Sequence, residues 1–305
     1  MSSLVVIPLA SAISYFQAIV LGVLQGVSEL FPISSLGHTV LFPTVFGWNA
    51  LVAAQSQANP FWVAFVVMLH VGSAIGLLAS FWRDWVAIVR AFFRTLAKRR
   101  VETSVERLAW LIIVATIPAG VLALALQHQL QSLTAKPKVA AIFLMINGLL
   151  LLAAERFRRS AEVRELAVRE GAKPDGGREL GTLEYREALV IGAAQSTALV
   201  AGISRDGVTM GAGLARGLDH SDAARFAFLL ATPVILAAGL VKLPDLLGHQ
   251  GAGIRGQALV GCLSAALTSV VIVHFLVRYF KTRTLTPFAI YCLVFGFAMV
   301  IYTQT

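Results

Sequence analysis

Between residues 60 and 303 the chain is dominated by apolar runs too long for a water-soluble core. They fall at 60–81, 108–126, 225–247, 257–278 and 285–303, with a shorter one at 139–154. A helix rises ~1.5 Å per residue, so each long run can reach across a hydrocarbon core of ~30 Å. Only 13% of the 305 residues are charged and 57% are apolar, with a mean hydropathy of +0.78. A soluble domain would carry about 25% charge. Too little polar surface remains to cover a water-facing globule, and lipid is the solvent these runs require. The expected fold is an all-α polytopic membrane protein, one integral domain over residues 1–305, with six full transmembrane helices at the runs just given.

The net charge of +9 and pI near 10.1 are a topology signal, because the cations are clustered. No Lys or Arg precedes Arg83; seven lie between Arg83 and Arg107, eight between Arg156 and Arg186, and three between Arg278 and Arg283. Those 18 of 25 sit between apolar runs, as the positive-inside rule expects of cytoplasmic loops, here 83–107 and 155–186 with a short third one. A nucleic-acid partner is not indicated. Cys262 and Cys292 lie inside apolar runs without a spacing motif, so neither a disulfide framework nor a metal cluster is implied. The N-terminal stretch lacks a basic n-region and does not read as a cleavable signal peptide.

Two further apolar regions, 15–46 and 187–218, are broken near the middle. The first carries Glu29, Pro32, Ser34, Ser35, Gly37 and His38; the second carries Gly202, Ser204, Arg205, Asp206 and Gly207. Irregular backbone at membrane depth is tolerated only where protein or a wet cavity receives it. Both regions are therefore expected as re-entrant helix–loop–helix hairpins. A shift of 170 residues superimposes them: Gly22 on Gly192, Gln25 on Gln195, Ile33 on Ile203, Ser34 on Ser204, Gly37 on Gly207 and Thr39 on Thr209, six identities in 18 positions. With the basic loops inside, the first hairpin enters from outside and the second from the cytoplasm. The repeats, about 15–126 and 187–303, are then inverted, and inverted repeats with broken helices place a binding site where the breaks meet. This topology leaves both termini outside.

Ionisable groups buried in a bilayer are costly and mark function. Glu29, His38, Arg205 and Asp206 are the candidates. Gln25 and Glu29, four apart, share a helix face. Ser34, Ser35 and His38 open the following half-helix, whose unpaired amides and dipole favour an anion. Ser35 and His38 are expected to point together. The second break adds another half-helix start and the forked guanidinium of Arg205, which suits phosphate oxygens. Together these groups read as a diphosphate site, with Glu29 able to ligate a hard divalent cation.

Plainer roles compete. Gln25 and Gln195 either bond across the repeat interface or contact substrate or metal. Ser34 and Ser204 suit N-caps. Glu29 and Arg205 could form a structural ion pair, and Asp206 reads more as a cap or salt-bridge partner than as a catalyst. His70, alone in an apolar run, reads as a packing residue. Arg216, Asp219, Asp222 and Arg225 read as interfacial charges, and Phe61, Trp62, Phe81, Trp82 and Trp85 as an aromatic belt.

These residues resemble the bacitracin-resistance family of undecaprenyl-diphosphatases. That family's first signature, Glu or Gln followed four residues later by Glu and then by P-x-S-S-x-G-H, matches QGVSELFPISSLGH at Gln25, Glu29, Pro32, Ser34, Ser35, Gly37 and His38. Its second, P-G-x-S-R-S-G-x-T, matches AGISRDGVT at Gly202, Ser204, Arg205, Gly207 and Thr209. The segment GLARGLDHSDAARFAFLLATPVILAAG is also similar, and the likeness covers nearly the whole chain. Three positions depart from the pattern: Ala201 for Pro, Asp206 for the second Ser, and Leu36 where Thr is common. The resemblance implies hydrolysis of undecaprenyl diphosphate to the monophosphate, recycling the carrier lipid for peptidoglycan and conferring bacitracin resistance. It implies a site open to the outer face of the bacterial inner membrane and a need for Mg²⁺ or Ca²⁺, held by Glu29 and Gln25. It implies Ser35 as nucleophile or as the group that positions a water. His38 would be base or alternative nucleophile, Glu29 would hold the metal or the imidazole, and Arg205 would stabilise charge. Ser34, Gly37, Ser204, Gly207 and Thr209 would bind the diphosphate, with Asp206 and Gln195 left unassigned.

The rival from another class is a carrier that flips a polyprenyl phosphate lipid, for which inverted repeats also suit. It needs the phosphate-binding groups but not Ser35 and His38 beside Glu29. The membrane acid phosphatases that use a phosphohistidine require S-R-x5-H, and Gly211 occupies the His position here. Pairing as a homodimer is left open by the sequence.

Overall fold

The computed structural model describes residues 13–56, 60–134, 136–168, 180–248 and 253–303. The N-terminal segment read above for a signal peptide, and the middle of the basic stretch 155–186, lie outside the described residues. Among the described residues every regular element is helical. The order is α1 (Tyr15–Leu30), α2 (Ser35–Val45), α3 (Asn49–Ser56), α4 (Pro60–Ser80), α5 (Trp82–Lys98), α6 (Ser104–Thr134) and α7 (Pro137–Val168). There follow α8 (Tyr185–Gln195), α9 (Arg205–Ala215), α10 (His220–Leu247), α11 (Arg255–Tyr279) and α12 (Thr286–Tyr302). Five helices are long and apolar enough to cross a membrane, over Trp62–Ser80, Ser104–Ala123, Pro137–Arg158, His220–Leu247 and Arg255–Tyr279. The chain is therefore a multi-pass membrane protein. The sixth expected span, 285–303, is the 17-residue α12, whose ~25 Å falls short of a ~30 Å core.

Two expectations need correction. The basic stretch 83–107 is not a plain loop: much of it is α5, which buries Ile88, Ala91 and Thr95 at helical spacing and turns its cations outward. The aromatic belt is incomplete as well. Trp62 is buried against Phe65, with ring centroids 5.8 Å apart, while Trp82 stays exposed. Phe81 and Trp85 lean on the core, and the side chain of Phe61 lies outside the described residues. The charges at the start of α10 make a cap and an ion pair. Asp219 caps the helix by accepting from the Asp222 amide at 2.7 Å, and Arg225 donates to Asp84 at 2.7 Å.

Both broken regions are helix–break–helix units. A capping box of Ser14 and Gln17 starts α1. The helix ends at Phe31, which is extended because Pro32 follows. The break turns at Ser34, whose φ of 69° is sparsely populated for a residue with a Cβ. Its hydroxyl accepts amides from Gly37 at 3.2 Å and Gly202 at 3.1 Å, which hold it there. The second unit runs through a 3₁₀ turn, Ser196–Leu199, to Gly202, whose φ of 104° needs glycine. Ser204 then caps α9 by accepting from the Gly207 amide at 3.1 Å. At 16 and 11 residues, α1 and α8 reach only about 24 Å and 17 Å.

The contacts among these helices are reciprocal. Gly22 of α1 lies against the Gly261 carbonyl of α11, and Gly192 of α8 lies against the Ala115 carbonyl of α6. Gly37 faces Gly202, and Gly207 faces Pro32. A Cβ on Gly148 of α7 would meet the Ala289 carbonyl at 2.8 Å, and one on Gly296 of α12 would meet the Ala141 carbonyl at 2.9 Å. In the last pair both partners differ by 148 positions, so each helix uses the same surface on the other. Small residues let helix backbones approach closely in lipid, where dispersion carries the association. Gly148→Val and Gly296→Val are each expected to lower stability by about 1–3 kcal/mol through overpacking. Thermal unfolding in detergent measures this, and no loss in either variant contradicts the close-packed interface.

Candidate active site

The two breaks meet in the core, and the polar groups they carry converge on Glu29. It lies in the last turn of α1 with its side chain 5% exposed. Arg205, at the first position of α9, donates from Nη2 to Glu29 Oε1. Ser35, at the first position of α2, donates its hydroxyl to Oε2. Gln25 Nε2 donates to the same oxygen at 2.9 Å, as the four-residue spacing predicts. The plainer alternatives, a Glu29–Arg205 ion pair and the caps of Ser34 and Ser204, are all present.

One histidine changes place with another. His70, expected as packing, projects from α4 to put Nε2 3.4 Å from both Ser35 Oγ and Glu29 Oε2. Its Nδ1 donates to the Val66 carbonyl at 2.8 Å, which fixes the ring. His38, expected beside Ser35, turns away. Its Nδ1 donates to the Ser34 carbonyl at 2.7 Å, and its Nε2 meets the Tyr291 hydroxyl at 2.8 Å. The ring stacks near Tyr291 and Phe295 of α12, with centroids 5.7 and 5.4 Å away. Bonding back to a carbonyl four residues earlier lays the imidazole along its own helix, so the three-residue spacing does not bring it to Ser35. Both ring nitrogens are occupied, and His38 clamps α2 to α12.

The remaining candidates divide. Gly37 and Gly207 face the opposite break and bring the two units into contact, so they are not open diphosphate cradles. Asp206 is buried with its Oδ1 3.7 Å from Arg205 Nε, and neither carboxylate oxygen accepts a hydrogen bond among the described residues. Gln195 and Thr209 are likewise buried, with side-chain polar atoms lacking partners among those residues. Burying such groups unpaired costs free energy. His70 and Arg205 keep 21% and 17% of their side chains exposed, more than the other groups of the site.

Asn147, absent from the sequence candidates, joins the two breaks. Fully buried on α7, it donates from Nδ2 to the Pro32 carbonyl at 2.9 Å and accepts from the Ser204 amide through Oδ1 at 2.9 Å. The reciprocal packing explains why it is needed. The first break receives the Gly202 amide on Ser34, but the corresponding residue of the other break is Pro32, which has no N–H to give. Asn147 supplies the missing link. An Asn in an apolar span gave the only sequence signal.

A metal fits only part of this arrangement. Among the described residues no three His, Cys, Asp or Glu side chains gather as a metal-holding set. Both Glu29 oxygens are engaged, but Gln25 Oε1 and the two Asp206 oxygens are buried and unpaired. These are hard oxygen donors of the kind Mg²⁺ and Ca²⁺ take, too few to make a cage unless phosphate oxygens complete the shell.

Comparison with known proteins identifies the family. A family model described as bacitracin resistance protein BacA matches residues 18–298. Undecaprenyl-diphosphatase 2 of Frankia alni is 50% identical, with the alignment covering 93% of this chain and 96% of that protein. The undecaprenyl-diphosphatase of Mycolicibacterium paratuberculosis is 50% identical over 95% of this chain and 97% of its own. That of Acidiphilium cryptum is 41% identical over 92% and 94%. With the motif residues assembled in the core and the match running nearly end to end, the chain belongs to the bacitracin resistance protein BacA family.

Proposed function

We propose that the protein removes the terminal phosphate of undecaprenyl diphosphate through a Ser35 nucleophile that Glu29 deprotonates. The activity is that of an undecaprenyl-diphosphatase, a hydrolase that returns carrier lipid to peptidoglycan synthesis and underlies bacitracin resistance. The observation that carries the assignment of roles is the Ser35 hydroxyl donated to Glu29, with Arg205 on the other carboxylate oxygen. In the resting site Arg205 neutralises Glu29. An arriving phosphate competes for the guanidinium, which prefers forked pairing to phosphate oxygens. Glu29 is then free to take the Ser35 proton as Oγ bonds to phosphorus. The bond between phosphorus and the bridging oxygen breaks, undecaprenyl phosphate leaves, and water hydrolyses the phosphoserine to inorganic phosphate. Arg205 and the half-helix amides of α2 and α9 stabilise charge on the transferring group, where phosphoryl-transfer catalysis mostly acts.

A divalent cation bound here would neutralise diphosphate charge. We infer that Gln25 Oε1, Asp206 and Glu29 are its protein donors, with the substrate completing the shell. His70 rather than His38 is the imidazole of the site. Ser35→Ala is expected to reduce phosphate release from undecaprenyl diphosphate at least ~10³-fold, and His70→Ala by about 10²-fold, a usual contribution of a proton-transfer group. His38→Ala is expected to act mainly on thermal stability. Detergent-purified protein is the material of choice, because a carrier with no bilayer to cross releases no phosphate. Near-normal turnover in Ser35→Ala sinks the scheme, and a larger loss in His38→Ala than in His70→Ala reverses the histidines.

The reciprocal helix contacts support a pair of inverted repeats, the first hairpin entering from outside and the second from the cytoplasm. In this reading α12 completes a sixth crossing at a thinned edge. The protein lies in the bacterial inner membrane with both termini outside and the site opening outward. A single cysteine at Thr303, with Cys262 and Cys292 replaced, should react with a membrane-impermeant maleimide in intact spheroplasts. Protection there, with labelling only after lysis, inverts the topology.

A further inference from the structure

Beside the first break, where the Phe275 ring centroid lies 6.2 Å from that of Phe31, an open groove of about 490 Å³ runs along the end of α11, lined by Val271, His274, Phe275, Arg278, Tyr279, Thr282 and Arg283. Val271, Phe275 and Arg278 follow one helix face at spacings of four and three. The lining changes character along that face. Val271 and Phe275 are 67% and 49% exposed apolar side chains. Arg278 stands seven residues beyond Val271, about 10 Å further along the axis, and Arg283 follows in the turn. Helix α11 has 25 residues, about 37 Å. Its last turn therefore reaches headgroup level while Val271 and Phe275 remain at hydrocarbon depth.

The cations have no local counter-charge. After Asp245 the chain contains no Asp or Glu at all, yet it carries Arg255, Arg278, Lys281 and Arg283. Among the described residues neither Arg278 nor Arg283 meets a carboxylate within salt-bridge distance. Glu155 is buried and engaged elsewhere, with Oε1 accepting from His220 Nε2 at 2.7 Å and from the Leu285 amide at 2.6 Å. The Tyr279 hydroxyl donates to the Thr284 carbonyl at 3.3 Å, and His274 Nδ1 donates to the Val270 carbonyl at 2.7 Å. The two guanidiniums are thus the uncommitted groups of the groove.

We propose that this groove is a binding site for an anionic glycerophospholipid, with its phosphate on Arg278 and Arg283 and an acyl chain along Val271 and Phe275. Unpaired cations at headgroup depth, continuous with an apolar wall, match one amphiphile carrying negative charge at one end. A free phosphate would use the arginines but not the apolar wall. A zwitterionic lipid would use the wall but carry no net charge to the arginines.

Delipidated protein in detergent would be titrated with phosphatidylglycerol, phosphatidylcholine or inorganic phosphate, reading Tm and lipid retained in native mass spectra. Phosphatidylglycerol is expected to raise Tm by several degrees and to stay bound, while the other two do neither. In R278Q/R283Q at least half of that shift and most of the retained lipid should be lost. R278Q and R283Q alone should each lose part, so the result does not depend on the double variant folding. Equal effects of phosphatidylcholine, the full shift with inorganic phosphate alone, or an unchanged shift in all three variants would each overturn the site. So would displacement of phosphatidylglycerol by a tenfold lower concentration of undecaprenyl phosphate, which would make the groove a place for the reaction's own lipid.

Discussion

Arg205→Ala is expected to slow phosphate release by about 10²–10⁴-fold, the range seen when one charge-stabilising donor is removed from an acyl- or phosphoryl-transfer site. The loss should fall mainly on kcat, because the guanidinium meets the transferring phosphate most strongly as charge builds on its oxygens. The same change strips Glu29 of its ion-pair partner and leaves a carboxylate buried on α1. Breaking a buried pair from one side costs about 3–5 kcal/mol, so Tm should fall as well. The two effects separate in Arg205→Ala/Glu29→Gln. The neutral amide removes the stranded charge and should recover most of the stability; activity, which also needs the Glu29 base, stays lost and is read in the single variant. Arg205→Lys keeps charge without the fork and should retain intermediate activity. Phosphate release and thermal unfolding measured together decide the matter. A stable Arg205→Ala enzyme with more than a tenth of normal kcat would mean that the ion pair is neither a structural nor a catalytic device.

Asn147→Leu, which keeps the count and branching of side-chain heavy atoms, is expected to cost about 2–4 kcal/mol of stability. It deletes three hydrogen bonds, one of them a 3.4 Å contact to Cys292 Sγ, and orphans the Pro32 carbonyl and the Ser204 amide, each buried unpaired group costing about 1–3 kcal/mol. Because Ser204 directly precedes Arg205 and Pro32 precedes Ser34 and Ser35, the clamp also sets the register of nucleophile against guanidinium. Activity should therefore fall further than the folded fraction does. Asn147→Asp separates the two bonds. It still accepts from Ser204 but cannot donate to Pro32, and it presses a carboxylate oxygen on a carbonyl. It should be at least as destabilised as the leucine variant. A leucine variant within 0.5 kcal/mol of wild type, with normal turnover, would show that the breaks hold their positions without Asn147.

What the sequence by itself determined follows from local chemistry. Runs of apolar residues without charges require lipid, and Pro32, Gly202 and the paired serines end helices wherever they occur. The helix spacing of Gln25 and Glu29 therefore survives into the structure, as do the caps of Ser34 and Ser204 and the two breaks 170 residues apart. The tertiary structure alone decided which face of an apolar helix meets the site. A helix that is apolar all round carries no stripe to orient it. Nothing local to α4 therefore says that His70 turns inward to Ser35, and nothing local to α7 says that Asn147 lies between two breaks more than fifty residues away on either side. His38 failed in the opposite direction, since its spacing suited Ser35 but its own backbone carbonyl and an aromatic wall from α12 claimed the ring. Positions along a helix are written in the chain, whereas rotation about the helix axis is settled by which distant backbones pack closely, here through the reciprocal small-residue contacts of α7 with α12 and of α1 with α11.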